Sequence, residues 1–111
     1  MTTATTFPEL TADEAAELIT QGAAVVIDVN PRRRWSSGHL PGAVNLDASE
    51  FTAADLPRDK ETTLIFYCSE TGSASRYAAR KAAKLGYLHI FLMPSGLKGW
   101  MAAGHRARAG H

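Results

Sequence analysis

Three short apolar runs, residues 23–29, 63–68 and 89–93, are separated by stretches of helical character, and that alternation most limits the folds open to this chain. The first run is interrupted by Asp28 alone. The second reads Thr-Leu-Ile-Phe-Tyr-Cys and the third His-Ile-Phe-Leu-Met. Short continuous apolar runs with β-branched and aromatic residues read as strands buried on both faces, the habit of parallel sheets. Between them, Thr11-Ala12-Asp13-Glu14 is a capping-box pattern that opens a helix. Ala15, Leu18 and Ile19 give that helix an apolar face, and Gly22 is placed to end it. The segment from Ala74 towards Gly86 is rich in Ala, Arg and Lys, as a helix would be. Pro94-Ser95-Gly96 turns the third run into a final helix over 97–103. Strands alternating with helices predict an α/β fold with a mainly parallel sheet.

The connections are less regular. Residues 31–38 read as a polar, basic, turn-rich loop, and 39–42 as a turn leading into a short strand at 43–46. Residues 47–55 suit a short helix and 57–60 a polar connection. The small, basic tail from Gly104 is expected to fray. A length of 111 residues suits one domain spanning 1–111, with one core. A net charge of +1 carries no nucleic-acid footprint. No apolar stretch approaches the length that spans a membrane, and residues 1–8 lack the basic and apolar regions of a signal peptide. A cytoplasmic protein is the simplest expectation.

The chemistry centres on Cys68, the one cysteine of the chain. A single cysteine excludes an internal disulfide and a CxxC redox pair. Lone cysteines are often buried and act as small hydrophobes. Here the thiol falls where a strand turns into a helix, and the flanking Ser69, Gly72 and Ser73 suggest a solvated, backbone-rich turn rather than a core. Such a turn presents free N–H groups and the positive end of a helix dipole, which favour the thiolate, the nucleophilic form. Asp28 likewise lies at the end of the first predicted strand, and a buried carboxylate there needs hydrogen-bond donors. It is expected to organise the loop after it rather than to catalyse.

Several stretches together resemble the rhodanese family of single-domain sulfurtransferases. They are Val26-Ile27-Asp28-Val29-Asn30-Pro31 with Ser37-Gly38-His39-Leu40-Pro41-Gly42-Ala43-Val44-Asn45, then Tyr67-Cys68 and its loop, then Leu85-Gly86-Tyr87, Gly96-Leu97-Lys98-Gly99-Trp100 and Ala103-Gly104. The resemblance covers about residues 9–105. It implies a three-layer α/β/α fold with a five-stranded parallel sheet. It also implies that Cys68 accepts a sulfane sulfur as a persulfide and passes it on. The donor would be a small anion such as thiosulfate or a persulfide. The acceptor would be cyanide, a thiol or a protein cysteine. No cofactor and no metal enter that scheme. His39, which is tempting as a base, falls in a structural turn of the family, and the remaining histidines lack metal-ligand spacing. Trp35 and Trp100 read as packing residues.

This chain departs from the family pattern in several places. Asn30 stands where Arg is usual, Arg34 where a Glu is usual, and Ser95 where a Gly is usual. Ser73 stands where many members carry a loop Arg, although some single-domain members have Ser there.

The substrate-binding candidates are Ser69, Glu70, Thr71, Gly72, Ser73 and Arg76. The loop N–H groups form an anion-binding nest, Gly72 frees the backbone, and the three hydroxyls are extra donors or simply loop solubility. Arg76 either reaches a bound anion or belongs with Arg80, Lys81 and Lys84 to a solvated helix face. Arg32-Arg33-Arg34 either borders the same mouth or is a solvated loop. Glu70 opposes an anionic donor: at about 6 Å from the sulfur and an effective dielectric near 20, repulsion is roughly 3 kcal/mol before screening. Pointing outward, it matters far less. Two rival readings remain. A cysteine-loop phosphatase or arsenate reductase needs an arginine closing its loop at the position held here by Ala74. A non-catalytic rhodanese-like regulatory or binding module often lacks the cysteine that this chain keeps.

Overall fold

The computed structural model describes residues 6–69 and 72–110. Its centre is a four-stranded sheet of β1 (Ala24–Asp28), β2 (Val44–Asn45), β3 (Thr63–Tyr67) and β4 (His89–Leu92), in the order β2-β1-β3-β4. Every pairing is parallel. The two inner strands are β1 and β3, and both are largely buried. Helices α1 (Ala12–Thr20), α2 (Arg32–Ser37), α3 (Ser73–Lys84) and α4 (Gly96–Ala102) make the connections, with a short 3-10 turn at Ala53–Asp55.

Side chains alternate across a strand, and along β3 the alternation sorts the core into two layers. Leu64 and Phe66, followed by Cys68, join Ala78, Ala79 and Ala82 of α3 on one face. Ile65 and Tyr67 join Ala12 and Ala15 of α1 and Trp100 of α4 on the other. The result is the expected three-layer α/β/α arrangement. The capping box at Thr11 forms as the motif predicts: Glu14 N–H donates to Thr11 Oγ1 at 3.1 Å and Thr11 N–H to Glu14 Oε1 at 2.8 Å. Gly22, at φ +66°, follows the end of α1.

Four expectations need correction. Among the described residues the sheet has four strands rather than five. Beyond β4 the next position holds an isolated bridge, Glu9 to Leu92, with Leu10 N–H on Leu92 O at 2.8 Å and Leu92 N–H on Pro8 O at 3.0 Å. Pro8 has no N–H to extend the ladder, and the capping box begins α1 three residues later. Residues 32–37, read as loop, are the helix α2 with Trp35 as its buried residue. The helix expected within 47–55 shrinks to the 3-10 turn. The tail is not frayed over its described length. Arg108 and His39 exchange two backbone hydrogen bonds at 2.8 Å, and Gly110 N–H reaches Ser36 O at 2.8 Å. Trp100 Nε1–H donates to Arg106 O at 2.8 Å, and His105 meets Asp13 at 2.7 Å.

Candidate functional site

In open α/β sheets the crevice beyond the carboxyl ends of the strands is where ligands bind. The two inner strands end there side by side, with Asp28 opposite Tyr67.

At the end of β1, Asp28 is fully buried. Its Oδ1 accepts the Asn30 N–H at 2.8 Å and its Oδ2 the Tyr67 hydroxyl at 2.6 Å. The Tyr67 oxygen in turn accepts the Leu40 N–H at 3.0 Å. Asn45 Nδ2 donates to the carbonyls of Asp28 at 3.1 Å and Asn30 at 2.8 Å. Burial pushes the Asp28 carboxyl above its ordinary value, outweighing the hydrogen bonds from Tyr67 and Asn30 and the nearby His39, which pull it down. Burial, reinforced by the Asp28 charge, pushes the Tyr67 phenol far up. With both oxygens engaged, Asp28 organises the 28–30 corner, as its sequence position suggested. His39 is also committed: its Nδ1 lies 2.7 Å from Trp35 O, to which it donates, and its ring stacks on Trp35 at 4.3 Å. Trp35 and Trp100 are buried, as packing residues should be.

At the end of β3, Cys68 is 6% exposed, so the thiol is packed rather than solvated as the loop composition suggested. The reason is the alternation of β3, which continues past its end and turns the Cys68 side chain towards the α3 layer. The thiol lies 3.4 Å from Ser75 Oγ and 3.5 Å from Ser69 O. Ser75 is itself buried and donates its hydroxyl to Gly72 O at 3.0 Å. Gly72, at φ +72°, precedes the first turn of α3, and its N–H closes on Ser69 O at 3.2 Å. On the opposite side, a Cβ on Gly96 would stand 2.5 Å from Cys68 O. Glycine at 96, at φ +61°, is therefore what lets the start of α4 close against the cysteine.

Cys68 lines a cavity of about 260 Å³ together with Asn30, Arg34, Ser69 and the start of α4, from Ser95 to Lys98 with Met101. Of the binding candidates, Ser69 shares this cavity. Ser73 lines a separate and larger hollow of about 680 Å³ across Asn30, with Ala74 and Tyr77. Gly72 shapes the loop backbone. The Arg76 guanidinium lies over Gly72, its Nη1 3.4 Å from where a Cβ would sit, and the residue lines a third hollow with Arg80. Arg76 thus sits against the loop without lining the Cys68 cavity. Glu70 and Thr71 lie outside the described residues.

Sequence reasoning passed over Ser75, Lys98 and Met101. Ser75 looked like one more residue of an Ala-rich helix, and only its phase in α3 aims it at the sulfur. Lys98 and Met101 come from a distant part of the chain. Of Arg32-Arg33-Arg34, which the sequence places either at this mouth or in a solvated loop, Arg34 lines the cavity. Among the described residues, no group of three or more His, Cys, Asp or Glu side chains could hold a metal ion, and no helix is long and apolar enough to cross a membrane.

Comparison with known proteins points in one direction. Residues 11–103 match the model of the rhodanese-like domain. The protein named thiosulfate sulfurtransferase GlpE from Haemophilus influenzae KW20 is 31% identical over 97 residues, 87% of this chain and 90% of that one. The protein YibN of Escherichia coli K12 is 31% identical over 94 residues, 82% of this chain, which spans 65% of YibN's length. Among solved structures, the BH2092 protein of Bacillus halodurans superposes with a TM-score of 0.82 at 22% identity, over 92% of this chain and 77% of that one.

Proposed function

The chain belongs to the rhodanese-like domain family, and from that premise we propose that it is a sulfurtransferase working through a persulfide on Cys68. The observation that carries the reading is the placement of the one cysteine at the end of the inner strand β3, held by a glycine-shaped loop and lining a cavity of about 260 Å³. The thiolate of Cys68 attacks the outer sulfur of a small anionic donor such as thiosulfate. The donor's sulfur–sulfur bond breaks and its electron pair leaves with sulfite. A nucleophilic acceptor then attacks the outer sulfur of the persulfide and restores the thiolate. The sulfur moves with no net change in the protein, so no cofactor is called for.

The contacts of Cys68 suit both charge states. As a thiol, its S–H has Ser75 Oγ and Ser69 O as acceptors. As a thiolate it needs donors, and a carbonyl supplies none. The Ser75 hydroxyl can turn from Gly72 O towards the sulfur, so it can follow the charge. With a single cysteine in the chain, no internal thiol resolves the persulfide. The acceptor is therefore external: cyanide, a small thiol or a protein cysteine. Ser69, Glu70, Thr71, Gly72, Ser73 and Arg76 are proposed to shape or contact the donor site, with Ser69 facing the cavity directly. A cytoplasmic setting, which keeps a thiol reduced, fits this use.

The phosphatase or arsenate-reductase reading is disfavoured because Ala74 stands where their loop arginine would be. A purely regulatory module leaves a cavity-lining cysteine without a task. The test is an intact mass spectrum after incubation with thiosulfate and its removal. The proposal expects a gain of one sulfur atom, lost again on adding cyanide; an unchanged mass would reject it.

A further inference from the structure

Resting on the sulfur-transfer reading, we propose that Arg34 and Lys98 recognise the anionic end of the sulfur donor, supplying from outside the cysteine loop the positive charge that the loop lacks. By sequence, residues 69–73 hold no cation and one carboxylate, Glu70. Arg76 sits against the loop at Gly72 and lines a different hollow. The side chains that bring positive charge to the Cys68 cavity come instead from two helices: Arg34 of α2 and Lys98 of α4. Among the described residues, no acidic side chain lines that cavity. The ion pair among them joins His105 to Asp13, and no described carboxylate pairs with Arg34 or Lys98. A small cavity with cations on its wall concentrates anions. Its volume of about 260 Å³ suits a small donor: it equals roughly nine times the ~30 Å³ that one water occupies in the liquid.

These two residues act on binding more than on chemistry. When the Cys68 thiolate takes the outer sulfur, the negative charge stays on the departing oxyanion. Arg34 and Lys98 therefore face an anion before and after the step. Interactions equal in ground and transition states set KM and leave kcat nearly unchanged. Both side chains are exposed, so each contributes modestly and responds to salt.

The experiment compares the alkylation of Cys68 by iodoacetate, an anion, with that by neutral iodoacetamide, read as mass gain. The two reagents share the same thiolate, so their rate ratio reports the field in the cavity and not the reactivity of the sulfur. At low ionic strength, Arg34→Gln and Lys98→Gln should each lower the iodoacetate-to-iodoacetamide ratio about threefold, and the double substitution about tenfold. The thiosulfate KM should rise by similar factors with kcat little changed, and the differences should shrink at about 0.5 M salt. A ratio and KM in the double variant equal to those of the unsubstituted protein would overturn the assignment. If the unsubstituted protein takes no sulfur from thiosulfate while the alkylation ratio still falls in the variants, the anion site is supported and the sulfur-transfer reading fails.

Discussion

The two inner strands end side by side, Asp28 opposite Tyr67, yet what their ends hold is built to opposite specifications. At β1, every polar atom of Asp28 is engaged: two donors on its oxygens, a third residue relaying through Tyr67, and Asn45 tying the carbonyls. At β3, the sulfur has two long contacts at 3.4 and 3.5 Å and opens on a cavity. A buried group with all its partners is a fixture. A buried nucleophile with weak partners beside empty space can change its bonding without disturbing the fold. Tyr67 joins the two ends, since its hydroxyl binds Asp28 and its backbone leads into Cys68. The satisfied corner thus holds the reactive one in place.

The contrast predicts where substitutions should strike. Cys68→Ser should reduce sulfur transfer to background while the protein stays folded. The new hydroxyl keeps Ser75 and Ser69 O as partners, so stability should fall by only about 1 kcal/mol in chemical denaturation. Transfer retained by a folded Cys68→Ser protein would dissolve the distinction between the two ends.

Asp28→Ala should do the reverse, damaging the fold first. It strands the Tyr67 O–H and the Asn30 N–H in the interior, and at about 1–3 kcal/mol for each unpaired donor the loss should be roughly 2–4 kcal/mol. An intact Tm would show that the β1 corner is not the fixture described. Gly96→Ala tests the seam between the cysteine and α4. A Cβ 2.5 Å from Cys68 O must displace backbone, and alanine is strained at φ +61°. A loss of about 1–3 kcal/mol, with a fall in activity larger than the stability change explains, is expected.

Two finer tests concern charge. The Asp28 carboxyl lies above its ordinary value of 3.8 when folded, because burial dominates. Between the unfolded and folded values the native chain holds a proton that the unfolded chain has released, so stability should decline as pH rises through that interval. Asp28→Asn should remove that slope from a urea-denaturation series run upward from about pH 4; a slope that persists would assign it to another group. The smallest effect is expected at Glu70. Removing a carboxylate from the loop, as Glu70→Gln, should lower the thiosulfate KM at low ionic strength and change little in high salt. A KM unmoved at low salt would place the charge away from the donor.

Much of this was legible in the chain itself. The apolar runs at 23–29, 63–68 and 89–93 contain β1, β3 and β4, and Thr11 to Glu14 caps α1 as written. Asp28 followed from a simple requirement, that a carboxylate in a buried run must find donors. What stayed hidden depended on contacts distant in sequence. Helix α2 buries Trp35 alone, too little for a periodic signal. The tail looked free because several of its partners lie far upstream, His39 and Ser36 by some seventy residues. The cavity likewise joins Arg34 to Lys98 and Met101 across most of the chain, and no local pattern announces that meeting.

The central claim is that Cys68 carries a transferable sulfur. The most direct measurement uses thiosulfate isotopically labelled at its outer sulfur, with peptide mapping before and after cyanide is added. The account predicts the label on the peptide containing Cys68, bound through one added sulfur, and then its quantitative appearance in thiocyanate. Labelled thiocyanate formed with no label ever found on Cys68 would contradict it.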